Sequence, residues 1–215
     1  MNRVLKNTGW FFFGFFAIGV GLYPSLFFII NMHEQGLLST KPGWLLADNL
    51  WNWAFCQHII AGGISLLAGW TQFSKKIRDR YLSVHRLLGK IYVTAVVLSG
   101  SAGLYLSFFA TAGLLSKLGF AALAVLWLFS TSAAFIQIRQ GLVSAHQNWM
   151  IRSFALAFAA VTLRIWLPLL TGLFRIDFMV AYPVIAWLCW VPNWLLAEWI
   201  IYRKQKTALP VLSSP

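Results

Sequence analysis

The chain has 215 residues, 60% of them hydrophobic and only 10% charged, with a mean hydropathy of +0.72. Water-soluble domains average about 45–50% apolar and about 25% charged residues, and a soluble monomer of this length has too little interior to hide the excess, so a soluble globular fold is excluded. The formal charge of +12 (17 Lys and Arg against 5 Asp and Glu) would suit nucleic acid, but its placement follows membrane topology, and nucleic acid is set aside as a partner in favour of the lipid bilayer.

A spanning helix needs roughly 20 mostly apolar residues, and about six such segments follow one another with short connections. The first is expected over 8–30, read as a retained span because its apolar run is too long for a signal core and no small-x-small site follows. Residues 31–52 are polar and rich in turn formers, with Trp44, Trp51 and Trp53 expected at the interfacial belt. The second span is expected over 53–73, followed by the basic connector SKKIRDRYLSVHR. The third covers 87–109, the fourth 118–138, the fifth 150–170 after the connector RQGLVSAHQNW, and the sixth 178–201. The reading is an all-α, polytopic transmembrane bundle of about six helices, forming a single domain over 1–206 with a flexible tail over 207–215. Cys56 and Cys189 fall in apolar spans at different depths, so they are read as buried free thiols.

Orientation follows from the cations, which accumulate on the cytoplasmic side. With both termini inside, thirteen Lys and Arg lie at the cytoplasmic face, Lys41, Lys117 and Arg175 face out, and Arg164 stands within the fifth span. The protein is therefore read as a multi-pass component of a bacterial inner membrane, N-in and C-in.

Few residues here can carry chemistry, and their positions are pointed. His85 opens the third span and His146 precedes the fifth, both at the cytoplasmic headgroup level. Two imidazoles at one depth on two helices suit axial ligation of a haem, with Arg86 and Arg152 near enough to pair with propionates and Gly89 leaving room for the ring. Haem b, or a quinone, is the cofactor this layer suits, with His85 and His146 as metal ligands. His58, about five residues from the outer end of the second span, and Arg164 form a second, outer polar layer, and a charge in mid-span costs at least about 2.5 kcal/mol on insertion scales. His58, Gly62, Ser65, Gly69 and Gln72 share one helical face that lets a helix or a flat cofactor approach.

Plainer roles stand beside these. Interfacial histidines serve as hydrogen-bonding anchors, Arg86 and Arg152 as topology residues facing headgroups, and Arg164 as a donor to carbonyls or a snorkelling cation. Glu198 pairs with a basic neighbour, and His33 with Glu34 is a solvated loop pair. No CxxC, HExxH or Gly-rich phosphate loop is present, and acids are too few for a paired-carboxylate hydrolase.

The strings HIIAGGISLLAGWTQF, RDRYLSVHRLLGKIYV and HQNWMIRSFALAFAAVTLRIW resemble an uncharacterised bacterial inner-membrane family, domain of unknown function 2306, over about 53–170. That resemblance implies a six-to-seven-helix membrane fold and no established activity. A weaker likeness joins HRLLG to six-helix diheme cytochrome b proteins of the ascorbate-reductase type. That family implies two histidine pairs, whereas this chain has one inner pair and His58 alone at its depth. Three functions stay open: a redox protein with one b-type haem or a quinone, an outward-facing binding or transport site at His58 and Arg164, and an accessory protein that packs against other membrane subunits or itself.

Overall fold

The structure, a computed structural model, describes residues 3–29 and 38–208; His33, Glu34 and residues 209–215 lie outside them. The described residues form a helical bundle. Helices α1 (Arg3–Ile29), α3 (Asn49–Gly69), α5 (Leu82–Ser107) and α6 (Leu114–Arg139) each make one pass. The fifth pass is broken into α7 (Val143–Ala157), α8 (Ala159–Pro168) and a π turn over Leu169–Leu173, and the sixth into α9 (Phe178–Leu188) and α10 (Val191–Ala208). Short helices α2 (Gly43–Leu46) and α4 (Lys75–Arg80) sit in the connections.

Five of these passes are long and apolar enough to cross a membrane. The sixth is α3, whose 21 residues reach about 31 Å but which carries Asn52, Gln57 and His58. It crosses the full bundle nonetheless. At its midpoint, deeper than the expected five residues from the outer end, His58 bonds to Ser99 of α5, and at its end Gly69 lies against Tyr92 and Phe154. The first half of α1, the 3-10 turn that follows α3 with the start of α4, the second half of α7 and the first half of α10 line one groove.

Glycine sets how closely the passes approach. A Cβ on Gly63 would stand 2.4 Å from the Gly21 carbonyl oxygen, and one on Gly69 2.4 Å from the Phe154 ring. The face of α3 expected to admit a helix or a flat cofactor admits α5 and Phe154.

Three sequence expectations shift. The connector before the fifth pass shrinks to three residues because Gly141 takes φ +77°, so His146 sits in the first turn of α7 instead of ahead of it. Helix α10 continues to Ala208, beyond the expected end of the domain. At the outer end, Trp51 is not an interfacial anchor. It is 3% exposed and packs with Leu38 and Leu45 on Phe55 and Phe109, while Trp44 and Trp53 are exposed as expected. Asp48 caps α3 by accepting the Trp51 backbone N–H at 2.8 Å.

Lys41 ties that outer cap down, donating to the Phe109 carbonyl at 2.5 Å and to the Thr111 hydroxyl at 3.0 Å. Burial, and then the nearby Lys117 charge, lower its pKa from the usual 10.5 to about 8. Between these two values the unfolded chain holds more protons than the folded one, so stability should rise as pH climbs from about 8 to about 10.5. Thermal unfolding followed across that window should show the rise in the wild type and not in Lys41→Met. A pH profile shared by both would assign it to other groups.

Candidate functional site: two polar layers at opposite ends of the bundle

The inner layer is built on the heptad. Tyr92 on α5 is fully buried, and its hydroxyl lies 2.6 Å from the Ser153 hydroxyl on α7. Ser153 in turn lies 2.6 Å from the Thr131 hydroxyl, which donates to the Trp127 carbonyl at 2.7 Å. This buried chain pins α5, α6 and α7 together at one height. His85 precedes Tyr92 by seven residues, and His146 precedes Ser153 by seven. Two helical turns bring a side chain back to the same face about 10.5 Å further along. Because α5 and α7 run in the same direction, the two imidazoles share a height and a side. Each stands within electrostatic reach of the other, and Arg78 and Arg86 are within reach of His85 as well.

The two imidazoles are held differently. His146 Nδ1 is 2.8 Å from the Ala134 carbonyl oxygen. A carbonyl only accepts, so Nδ1 carries the proton and Nε2 presents a lone pair. That arrangement fixes the tautomer and ring of ligating histidines. His85 Nδ1 is buried without a hydrogen-bond partner. The space over Gly89, expected to admit a ring, is faced by the Gln72 side chain at 3.5 Å from where a Cβ would stand.

Of the two arginines expected beside these histidines, Arg86 is exposed and free of ion pairs among the described residues. Arg152 is already committed. It donates Nε and Nη2 to Glu198 of α10 at 2.6 and 2.9 Å and lies over the Trp149 ring at 4.5 Å. Its charge is thus neutralised by a bidentate partner and ties α7 to α10. Lys204, missed from sequence because it reads as tail, donates to Gln147 at 2.7 Å and stands within reach of Arg78. It adds a cation to the rim of the histidine pair.

The outer layer centres on His58, whose Nδ1 lies 2.9 Å from the Ser99 carbonyl. Ser99 returns its hydroxyl to the His58 carbonyl at 2.9 Å. The imidazole sits on Gly103, where a Cβ would approach it to 2.9 Å. Arg164 on α8 donates Nη1 to the Ala160 carbonyl at 2.8 Å and lies over the Tyr23 ring at 4.5 Å. It stands within electrostatic reach of His58, with no direct contact between the two among the described residues. Among the described residues no acid pairs with Arg164: Asp79 and Glu198 pair with Arg78 and Arg152, and Asp48 and Asp177 cap helices.

A third polar knot joins the broken passes and was not foreseen. The amide nitrogen of Asn193 reaches the Ala155 carbonyl, the Thr162 hydroxyl and the Cys189 carbonyl at 3.2, 3.1 and 3.0 Å, and Thr162 also bonds to the Cys189 carbonyl. These bonds serve carbonyls freed where α7 gives way to α8 and α9 to α10, as broken membrane helices require. Pro192 in the first turn of α10 is the sequence signal that could have marked the second break.

Among the described residues no three His, Cys, Asp or Glu side chains gather as a metal cage; a bis-histidine site needs two. The fold and these layers define a polytopic helical membrane protein with a paired-histidine basic end. Residues 55–201 match the family model described as "Predicted membrane protein (DUF2306)", and the chain belongs to that family. The match runs into α10, well beyond the stretch that carried the resemblance. No curated protein and no solved structure matches the chain, and the cytochrome b likeness gains no support from these comparisons.

Proposed function

We propose that this protein is a redox component of a bacterial inner membrane that carries one b-type haem between α5 and α7 near the cytoplasmic face. The observation that carries the reading is the equal seven-residue offset of His85 and His146 from the buried Tyr92–Ser153 contact. His146, with Nδ1 committed to Ala134, offers Nε2 as a ligand, and the unpartnered Nδ1 of His85 marks an imidazole whose polar demand the chain does not meet. Arg86, Arg78 and Lys204 would face the propionates, while Arg152 orders α7 through Glu198. The fit requires Gln72 to swing away from Gly89. A haem so held supplies one-electron transfer; the chain contributes the two ligands, the cationic rim and a water-poor wall. Purified protein from haem-replete cells should show a Soret band that is lost in His85→Ala and in His146→Ala. Colourless, folded wild type would end the reading.

A specific observation favours a second reading, an outward-facing anion site at His58 and Arg164. A guanidinium has five N–H donors, and among the described residues Arg164 has one carbonyl, one ring face and no acid. Thermal stabilisation by a carboxylate or phosphate anion should vanish in Arg164→Leu and persist in part in Arg164→Lys. An anion response equal in wild type and Arg164→Leu would dismiss it.

A further inference from the structure

A groove of about 780 Å³ runs along the bundle surface toward the basic end, between α1, the turn from α3 into α4, α7 and α10. That volume falls within the roughly 300–1,000 Å³ of small-molecule sites. Its walls are aromatic and interlocked: Phe13 packs on Phe154 at 5.4 Å and on Phe158 at 5.6 Å, and Phe73 on Phe154 at 5.3 Å. Gly9 and Trp10 form one lip, and Ser74 and Lys75 stand at the mouth. Asn193 is the polar residue on the α10 side.

Two features select the occupant. The rim is cationic. Lys75 is exposed and followed by Lys76 and Arg78 on the same short helix, and the one acid there, Asp79, is 3.5 Å from Arg78. The Ser74 hydroxyl accepts the Ile77 N–H and keeps its own proton to donate. Within the slot the two Asn193 N–H groups already serve three acceptors, and the remaining donors, the Trp10 indole, Ser74 and Lys75, belong to the lip and mouth. A neutral head, such as a quinone's, leaves the positive charge of the rim unanswered. An acyl chain with an anionic head at the mouth uses all of this layout.

We infer that the groove is a binding site for an anionic phospholipid of the cytoplasmic leaflet, with an acyl chain along Phe13, Phe154 and Phe158 and its phosphate at Lys75 and Ser74. The site is independent of the histidine pair. One lysine near a membrane surface is worth about a fivefold preference for anionic lipid. Native mass spectrometry of the full chain, delipidated and offered equal phosphatidylglycerol and phosphatidylcholine, should therefore show one phosphatidylglycerol retained about fivefold over phosphatidylcholine. Lys75→Gln should equalise the two lipids. Gly9→Leu, where an added Cβ meets nothing within 4 Å, should fill the lip and lower retention of both, with an unchanged thermal midpoint showing an intact fold. Equal retention of the two lipids by wild type, an unchanged preference in Lys75→Gln, or full retention in Gly9→Leu would each overturn the assignment.

Discussion

Gly63→Ala should lower the thermal unfolding midpoint in mild detergent by roughly 3–10 °C, the equivalent of the about 1–3 kcal/mol that overpacking costs. The added methyl would stand 2.4 Å from the Gly21 carbonyl oxygen and 3.1 Å from Pro24. The first obstacle is backbone, which cannot turn aside as a side chain can, so α1 must lift away from α3. Close small-residue crossings of this kind hold membrane helices together where no hydrophobic force separates lipid from protein. Gly19→Ala, on the same α1, is the control. Its Cβ meets nothing within 4 Å, so it should leave the midpoint unchanged or raise it slightly. Equal effects of the two substitutions would mean that α1 is not packed through Gly21 and Gly63.

The second large effect belongs to Gly69→Ala. Its methyl would fall 2.4 and 2.5 Å from two Phe154 ring atoms and 2.8 Å from the Tyr92 ring. Both rings are buried and Tyr92 is held by Ser153, so the change presses on the Tyr92–Ser153–Thr131 chain as well as on packing. Losing one of its hydrogen bonds adds about 1 kcal/mol to about 1–3 kcal/mol of overpacking. Phe154→Leu in the same chain should recover part of the loss by removing the nearest obstacle, which a double-mutant cycle would read as favourable coupling. Strictly additive losses would place the strain elsewhere.

Much of this architecture is legible in the sequence because lipid imposes simple rules. Length and apolar content mark the passes, lysine and arginine mark the basic end, and the rarity of ionisable residues singles out His58, His85, His146 and Arg164. Side-chain commitments are not legible. Arg152 reads as a free cation until Glu198, 46 residues later, is found at 2.6 Å. Trp51 reads as an interfacial anchor until it is found packed with Leu38 and Leu45. The two helix breaks escape notice because hydropathy stays high through Phe158 and Cys189, and what repairs them is a single asparagine on another helix. The shared heptad offset of the two histidines was in the sequence all along, but it acquires meaning only once Tyr92 and Ser153 are seen to touch.

The pairing of His85 with His146 is tested most directly by haem titration of the purified apo-protein, with wild type, each single alanine variant and the double variant compared at equal folded fraction. The account predicts one haem per chain in the wild type and a similar loss in all three variants, since either imidazole alone leaves the pair broken. Haem uptake by the double variant at wild-type stoichiometry, or none by folded wild type, would contradict it.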